Sequence, residues 1–365
     1  MRIPYSLLLA LAAFALTFAF TPLVRSLAFR IGALDRPGPR RVHAEPVPSI
    51  GGLAFAVAIL ITLYGAFALP GPTSLLDIRP VIGLSIAAVP ILLLGLLDDL
   101  RGTPPWLKLV VQGSSACILY AFGYGVPVLT NPFGGSIGAG VLNLPLTVLW
   151  VVVVINAINL IDGLDGLAAG VVLIACTTLW FAARAHSDFY IMFLASPLIG
   201  AMLAFLRFNF PPAKIFMGDT GSQFLGLALA AISLLENRKG TATVTLLFPL
   251  VAMGVPIADS GIALVRRWVR GQPVFRADSE HIHHRLLRLG LTPRSAVLVL
   301  WYLSAYLGVM AIVLSALPRS YAWLIVLLLA LGLFFAFEVL EFIDRKLPDR
   351  KPSDGGRSGS EPPER

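Results

Sequence analysis

The sequence comprises 365 residues, of which 57% are hydrophobic and only 13% are charged, and its net charge is +8. A soluble domain carries about 25% charged residues, so this composition excludes a soluble globular protein, a disordered chain and a nucleic-acid-binding protein. The basic excess is instead typical of membrane proteins, whose cytoplasmic loops collect Lys and Arg. Cys117 and Cys176 lie inside apolar runs and indicate neither a disulfide framework nor a thiolate metal site.

Charge-free stretches predict transmembrane helices, because a helix needs about 20 mostly apolar residues to cross the hydrocarbon. The stretches are 3–24, 46–76, 80–97, 109–161, 166–183, 189–206, 220–235, 240–258, 295–318 and 320–337. The stretch 109–161 is long enough for two helices, with a predicted loop over the turn-rich residues 123–135. The first stretch is expected to remain as a helix, because only Arg2 precedes its run of 22 charge-free residues. The predicted fold is all-α and polytopic, with about eleven transmembrane helices.

The distribution of basic residues orients these helices. An odd number of spans places the two termini on opposite sides, and 22 of the 28 Lys and Arg residues then fall on one side. The positive-inside rule assigns that side to the cytoplasm, which puts the N-terminus outside and the C-terminus in the cytoplasm. We expect a membrane domain over residues 1–347 and a disordered tail over residues 348–365, which are rich in Pro, Gly, Ser and charge.

Polar residues collect on the predicted cytoplasmic side. The clusters span residues 36–52, 98–99, 156–165, 216–222 and 281–285. Four of the five histidines, among them His43, also lie on that side. The sequence therefore predicts that separate helix ends converge on one site.

Asp98 and Asp99 follow the apolar run 91–97. Adjacent carboxylates at the end of an apolar helix repel one another and are partly desolvated, which suits general base work or binding of a divalent cation. The alternative is an interfacial cap where the helix leaves the lipid. The four other polar clusters on this side favour a functional role.

Asn156, Asn159, Asp162 and Asp165 recur at every third position. In a helix this spacing keeps the four side chains near one face. Amide and carboxylate oxygens are ligands that Mg²⁺ accepts, so the spacing favours a cation site. The alternative is a polar helix end with local Asx turns.

Asp219 lies between glycines at the predicted start of a helix, within residues 216–222. A helix N-terminus presents free N–H groups and the positive end of the dipole, which favours phosphate. The acid beside it would hold a metal that bridges the phosphate oxygens. The alternative is an ordinary N-cap.

Three histidines, His281, His283 and His284, fall within four positions and follow a series of arginines that includes Arg276. The positive surroundings and the lack of a nearby cysteine disfavour zinc. Imidazole and guanidinium donors instead suit an anion such as a diphosphate. The alternative, a membrane-surface anchor, explains the arginines but not the histidines.

In these motifs the chain resembles the polyprenyl-phosphate N-acetylhexosamine-1-phosphate transferases, which are of the glycosyltransferase family 4 type. It looks closest to the bacterial branch that starts O-antigen, enterobacterial common antigen and teichoic acid linkage units. The resemblance runs from about Arg25 to Leu291, and its motifs are Pro48-Ser49-Ile50-Gly51-Gly52, Leu97-Asp98-Asp99, Asn156–Leu167, Phe216–Ser222 and His281–His284. The related phospho-MurNAc-pentapeptide transferases share several motifs, but this sequence departs from them before Gly51.

The resemblance implies that a UDP-N-acetylhexosamine donates its sugar 1-phosphate to undecaprenyl phosphate, with release of UMP. This would be the first membrane step of a cell-envelope glycan such as a cell-wall polymer or lipopolysaccharide. Asp219 and Asn159 would hold Mg²⁺, or Mn²⁺ in its place. Asp98 would be the base or the orienting group at the lipid phosphate, with Asp99 beside it, and Lys108 would pair with a phosphate.

The resemblance also implies where the substrates bind. The expected substrate-binding residues are Lys108, Asn156, Asp162, Asp165, Arg276, His43, His281, His283 and His284. Asp165 would lie near the uracil or ribose, and the histidine and arginine loop near the diphosphate and sugar. The protein would be a multi-pass protein of the bacterial inner membrane with its active site on the cytoplasmic face, and members of this family often form homodimers.

The sequence leaves several alternatives open. The donor sugar is expected to be GlcNAc, with GalNAc, FucNAc and QuiNAc as alternatives. A secondary transporter also carries intramembrane acids and broken helices, but its polar groups lie near the midplane and often in two repeated halves. A membrane-anchored scaffold is the third alternative.

Overall fold

The computed structural model describes residues 3–35, 46–68, 76–130, 136–237, 254, 257, 286–316 and 327. Its helices are α1 (Ile3–Ile31), α2 (Gly52–Ala68), α3 (Arg79–Arg101), α4 (Pro105–Ala121), α5 (Asn143–Ile161), α6 (Leu167–Ala185), α7 (Phe189–Asn209), α8 (Gly218–Asn237) and α9 (Pro293–Ala316). Two short antiparallel strand pairs accompany them, β1 (Leu34–Asp35) with β2 (Val47–Pro48), and β3 (Val128–Thr130) with β4 (Ser136–Gly138). A single 3₁₀ turn (Gly140–Leu142) leads into α5.

Six helical segments in the described residues are long and apolar enough to cross a membrane. They are Tyr5–Ile31, Arg79–Arg101, Gly140–Ile161, Leu167–Ala185, Phe189–Asn209 and Pro293–Val313, and the apolar helix Gly52–Ala68 is shorter. The prediction of an all-α polytopic membrane protein is therefore confirmed. The number of eleven spans and the orientation of the termini stay predictions, because stretches such as 240–258 and 320–337 fall mostly outside the described residues.

Two sequence expectations need local correction. The segment predicted as a plain loop, residues 123–135, is followed and partly occupied by the β3–β4 hairpin, in which Leu129 pairs with Ile137. The helix expected to carry four polar residues at every third position ends at Ile161. Asp162 is its C-cap, and Asp165 lies in the turn before α6. Two glycines in this turn favour the early end, and Gly166 adopts a left-handed φ of 74°.

Helix α8 lies at the centre of the bundle. Every residue from 220 to 235 is buried, and the helix packs against α2, α3, α5, α6 and α7. Residues 220–235 carry no charge, which allows this helix to be buried within protein. In contrast, α1 exposes large apolar side chains such as Leu7, Leu8 and Leu11, as expected of a helix that faces lipid. The buried position of α8 fixes the place of its N-terminal residues.

The chain before α8 is held by the start of α2. The amides of Gly51 and Gly52 donate to the carbonyls of Phe216 and Met217, both at 2.9 Å, and the amide of Phe216 donates to the carbonyl of Pro48 at 2.8 Å. A Cβ atom on Gly52 would overlap the backbone of Gly221. The two glycines of this motif thus allow α2 and α8 to approach to backbone contact.

Candidate active site

The ends of four helices meet at one edge of the bundle. They are the C-terminal ends of α3 and α5 and the N-terminal ends of α4 and α8. Asp98 and Asp99 come from α3, Lys108 from α4, Asn159 from α5 and Asp219 from α8. The predicted convergence of the 98–99, 156–165 and 216–222 clusters is therefore present in the structure.

Asp99 caps α8 from a neighbouring helix. Its Oδ1 accepts a hydrogen bond from the amide of Asp219 at 2.8 Å, and its Oδ2 accepts from the amide and hydroxyl of Thr220 at 3.1 and 2.6 Å. A carboxylate at a helix N-terminus satisfies otherwise unpaired N–H groups and complements the helix dipole. The sequence suggested that the N–H groups at the start of this helix bind phosphate. The amides of Asp219 and Thr220 instead donate to Asp99 and are not free to do so. Asp99 positions Asp219.

The conformation of Gly218 makes this cap possible. Its φ is +68°, a value that residues with a Cβ atom rarely adopt. A Cβ atom here would also overlap the carbonyl of Ser49 and the carboxylate of Asp99. The glycine before the acid is thus required by the geometry of the cap.

Lys108 joins two carboxylates across the site. Its Nζ donates to Asp98 Oδ2 at 2.9 Å and to Asp219 Oδ2 at 2.6 Å. Asp98 is further held by Thr103, whose amide donates to Asp98 Oδ1 at 2.7 Å and whose hydroxyl donates to the same oxygen. With three donors on its carboxylate, Asp98 is fixed in orientation, and its negative charge stabilises the ammonium group of Lys108.

Asn159 holds the second oxygen of Asp219. Its Nδ2 donates to Asp219 Oδ1 at 2.9 Å and to the hydroxyl of Ser222 at 2.8 Å. No hydrogen bond from the described residues reaches its carbonyl oxygen, Oδ1. Asn159 therefore orients Asp219 and at the same time offers an oxygen to a ligand.

Asp162 faces the site without a hydrogen-bonding partner for its carboxyl group in the described part of the chain. Burial, together with the negative charges of Asp219, Asp99 and Asp165, raises the pKa of Asp162 well above its ordinary value. Repulsion among acids that are close together is relieved by a bound cation. Asp162 is thus a group whose ionised form needs a positive partner.

Asp165 and Asn209 tie the turn before α6 to the loop before α8. Asp165 Oδ2 accepts from the amide of Ala213 at 2.8 Å. Asn209 Oδ1 accepts from the amide of Gly166 at 3.0 Å, and its Nδ2 donates to the carbonyl of Ile215 at 2.9 Å. At least one oxygen of Asp165 therefore has a structural partner, and its contact with uracil or ribose stays a prediction.

The donor set at the site fits a hard divalent cation. No group of three or more His, Cys, Asp or Glu side chains has metal-holding geometry within the described ranges. However, Asp219, Asp162 and Asn159 supply the carboxylate and amide oxygens that Mg²⁺ prefers. The ammonium of Lys108, between Asp98 and Asp219, shows that these acids already attract a positive charge. The chemistry of these side chains therefore suits the predicted magnesium site.

Other predicted residues fall elsewhere. His43, Arg276, His281, His283 and His284 lie outside the described residues. Asn156 is on α5, where its Nδ2 donates to Gln112 Oε1 at 2.7 Å and to the carbonyl of Val152 at 2.8 Å. Its role in substrate binding stays a prediction.

Sequence reasoning missed two buried glutamines near the site. Gln112 on α4 and Gln223 on α8 are almost completely buried, and Gln223 Nε2 donates to Asp219 Oδ2 at 3.0 Å. An uncharged polar residue does not interrupt a charge-free stretch, so neither glutamine stood out. The sequence feature that could have revealed them is an amide side chain inside an otherwise apolar span, where it needs a hydrogen-bonding partner.

Comparison with known proteins gives one consistent family. Residues 81–237 match the family model described as glycosyl transferase family 4. Over 331 residues the chain is 36% identical to the probable undecaprenyl-phosphate N-acetylglucosaminyl 1-phosphate transferase of Bacillus subtilis, with 89% of each chain covered. Over 318 residues it is 36% identical to the decaprenyl-phosphate N-acetylglucosaminephosphotransferase of Mycobacterium tuberculosis, covering 80% of this chain and 78% of the relative.

A more distant relative marks the related branch. The chain is 28% identical over 337 residues to the phospho-N-acetylmuramoyl-pentapeptide-transferase of Streptococcus equi, covering 87% of this chain and 99% of the relative. The matched region contains α4, α5, α8 and all but the first two residues of α3, and the ends of these helices form the site described above. The chain therefore belongs to glycosyl transferase family 4.

Proposed function

We propose that this membrane enzyme transfers N-acetylglucosamine 1-phosphate from UDP-GlcNAc to a polyprenyl phosphate, with undecaprenyl phosphate as the acceptor. The two relatives at 36% identity are named for the transfer of this sugar phosphate to a polyprenyl carrier. The observation that carries the proposal is the joining of Asp98, Lys108 and Asp219 at converging helix ends. A family of transferases leaves the transporter and scaffold alternatives without support.

The reaction exchanges one phosphorus–oxygen bond for another. An oxygen of the lipid phosphate attacks the phosphorus that carries the sugar, and the bond from that phosphorus to the bridging oxygen breaks. UMP leaves with the bridging oxygen, and the lipid diphosphate sugar remains in the membrane. Such transfers depend on in-line positioning and charge neutralisation more than on covalent chemistry.

The lipid phosphate needs little help from a base, because a phosphate monoester is largely ionised near neutral pH. Thr103 and Lys108 hold the Asp98 carboxylate in one orientation, with Oδ2 on the Lys108 ammonium, and we assign it the role of orienting Lys108. It holds Lys108, whose ammonium group is placed to offset the negative charge of a phosphate. Asp99 fixes the start of α8 and, through it, the backbone of Asp219.

Asp219, Asn159 and Asp162 are the residues that would hold Mg²⁺, which neutralises the donor diphosphate when bound; Mn²⁺ is the alternative ion. Asn159 orients the Asp219 carboxylate by donating from its Nδ2 to Asp219 Oδ1, and its own carbonyl oxygen stays available. Asp162 contributes a carboxyl group that has no hydrogen bond from the described residues. The requirement for the ion is itself part of the proposal.

UMP release tests this function directly. Detergent-purified protein is given UDP-GlcNAc, undecaprenyl phosphate and Mg²⁺, and we expect UMP that depends on the lipid and disappears with EDTA. Asp219→Ala should abolish it. Asp77→Asn is the matched control, because Asp77 is an exposed carboxylate next to the opposite end of α3. If well-folded wild-type protein releases no UMP from any UDP-sugar, the proposed function is refuted.

The active site is proposed to face the cytoplasm of a bacterial inner membrane. Asp77 and Lys214 are exposed residues that lie next to opposite ends of the bundle. In a cysteine-free background, we expect a membrane-impermeant maleimide to label Asp77→Cys in intact spheroplasts and Lys214→Cys only after permeabilisation. The reverse pattern would overturn the orientation. We also propose a homodimer, as the resemblance implies. The mass of the detergent-solubilised protein tests it, and a monomeric mass would contradict it.

A further inference from the structure

Two buried amide side chains and a half-buried one lie beneath the candidate site and form a continuous hydrogen-bonded chain. Asn156 Nδ2 donates to Gln112 Oε1 at 2.7 Å, Gln112 Nε2 donates to Gln223 Oε1 at 3.2 Å, and Gln223 Nε2 donates to Asp219 Oδ2 at 3.0 Å. We call Gln112, Asn156 and Gln223 the amide layer. It connects α4, α5 and α8 to one carboxylate of the site.

The residues of the amide layer lie on the same helix faces as the residues of the site. Each of its members is one helical turn from a site residue on the same helix: Gln112 from Lys108, Asn156 from Asn159, and Gln223 from Asp219. Positions three or four apart lie on the same face of a helix. The layer therefore forms the floor of the site, on the side of the apolar core.

The direction of every hydrogen bond in the chain is fixed at its two ends. Asn156 Nδ2 also donates to the carbonyl of Val152 at 2.8 Å, and a carbonyl can only accept. At the other end the carboxylate of Asp219 accepts. Because Asp219 accepts, Gln223 must donate to it, and its own oxygen is left to accept from Gln112. Gln112 accepts from Asn156 in the same way.

Burial makes this arrangement demanding. Gln223 has no exposed surface and Gln112 is 1% exposed, and an amide inside apolar surroundings needs a partner. Each member of the layer supplies the partner of the next one. A rigid donor is thereby held against Asp219 Oδ2, the same oxygen that accepts from Lys108 Nζ.

We propose that Gln223, held by Gln112 and Asn156, is a positioning residue that fixes the Asp219 carboxylate for binding of a divalent cation. This inference rests on the proposed function, since it concerns the cation of that reaction. Groups that orient metal ligands typically change metal affinity or activity by about 10- to 100-fold when they are removed. Among the described residues, Lys108 is the other donor to Asp219 Oδ2, and Asn159 donates to Oδ1. Gln223 is thus the donor that comes from the same helix as Asp219.

Binding of Mn²⁺ to detergent-purified protein without substrates tests the proposal. Electron paramagnetic resonance measures free Mn²⁺ during a titration, and UMP release against Mg²⁺ concentration gives a second readout. We compare wild type with Gln223→Met, Gln112→Met and the double variant, because methionine has the length of glutamine but cannot donate a hydrogen bond. Thermal unfolding is measured on each protein.

We expect Gln223→Met to need about 10- to 100-fold more Mn²⁺ for half-saturation, with a matching rise in the Mg²⁺ needed for UMP release. Gln112→Met keeps the bond from Gln223 to Asp219 and should show a smaller rise. The double variant should recover thermal stability relative to Gln112→Met, because removing both partners leaves fewer unpaired groups. It should still bind Mn²⁺ as weakly as Gln223→Met.

Ser233→Ala is the matched control for loss of a buried hydrogen bond. The hydroxyl of Ser233, on α8, accepts from Trp150 Nε1 on α5 at 2.7 Å, far along the helix from Asp219. We expect lower thermal stability with unchanged Mn²⁺ affinity.

Wild-type Mn²⁺ affinity in Gln223→Met, or an affinity that follows thermal stability across all variants, would overturn the positioning role. If Gln223→Met does not fold, the double variant decides the question by the same criteria. Wild-type protein that binds Mn²⁺ but releases no UMP would refute the proposed function instead.

Discussion

Asp99→Asn separates a capping role from a chemical one. An asparagine amide cannot accept at the position of Oδ2, so the substitution removes the two hydrogen bonds from Thr220 and leaves the amide of Asp219 with a neutral acceptor. A hydrogen bond to a charged group contributes roughly 1.5–3 kcal/mol, so two contribute roughly 3–6 kcal/mol. Bonds between membrane helices average only about 0.6 kcal/mol each, which sets a lower bound of about 1 kcal/mol.

We therefore expect Asp99→Asn to lower the free energy of unfolding by about 3 kcal/mol, between these bounds. Activity per folded molecule should fall about 10- to 100-fold, because Asp219 loses the support of its backbone. Hydrogen exchange followed by mass spectrometry should show faster exchange in the peptide that contains residues 216–222.

Thr220→Val is the matched variant, because it removes only the hydroxyl donor and should show about half of the stability effect. Asp99→Asn protein with wild-type stability and wild-type exchange, but without activity, would refute the capping role. That result would return Asp99 to the chemical role that the sequence first suggested.

Three further predictions concern other parts of the site. Asp98→Asn should reduce the turnover number about 10-fold. Loss of an orienting group costs less than loss of a general base, which contributes about 10²- to 10⁴-fold. A fall of more than about 100-fold in the rate of UMP release would instead support a general-base role for Asp98. Gly52→Ala should destabilise the protein by about 1–3 kcal/mol in thermal unfolding, because its Cβ overlaps the backbone of Gly221. Gly65→Ala on the same helix meets no atom within 4 Å and should not destabilise, so equal effects would contradict the packing argument. Asp162→Asn should stabilise the metal-free protein at neutral pH, because the raised pKa of Asp162 means that its ionised form opposes folding. The gain should shrink as the pH falls toward the ordinary pKa of about 3.9 and should be offset by Mg²⁺, whereas a pH-independent difference in unfolding would contradict it.

The sequence predicted the class and the meeting of helix ends because both depend on local patterns. Charge-free stretches require membrane helices, and α8 begins at Gly218, just before its charge-free stretch at 220. The position of each acid at a helix end followed from the same boundaries. Charge and apolar length are properties that a single chain segment carries by itself.

The partners of each acid could not be read from local patterns. Asp98 and Asp99 are neighbours in sequence, yet Asp98 binds Lys108 and Thr103 whereas Asp99 caps a helix 120 residues away. Which carboxylate points where depends on the rotation of α3 against α8, and that rotation is set by packing. The regular spacing of Asn156, Asn159, Asp162 and Asp165 suggested a single helix face, but the turn after Ile161 separates them.

The proposed function requires that a sugar phosphate, and not the sugar alone, moves to the lipid. UDP-GlcNAc labelled in the phosphate next to the sugar distinguishes these outcomes when the wild-type protein is supplied with undecaprenyl phosphate and Mg²⁺. We expect the label to enter the organic phase in a lipid diphosphate sugar and UMP to carry no label, and we expect EDTA to abolish both products. Label that remains in the aqueous phase while the sugar enters the lipid would contradict it.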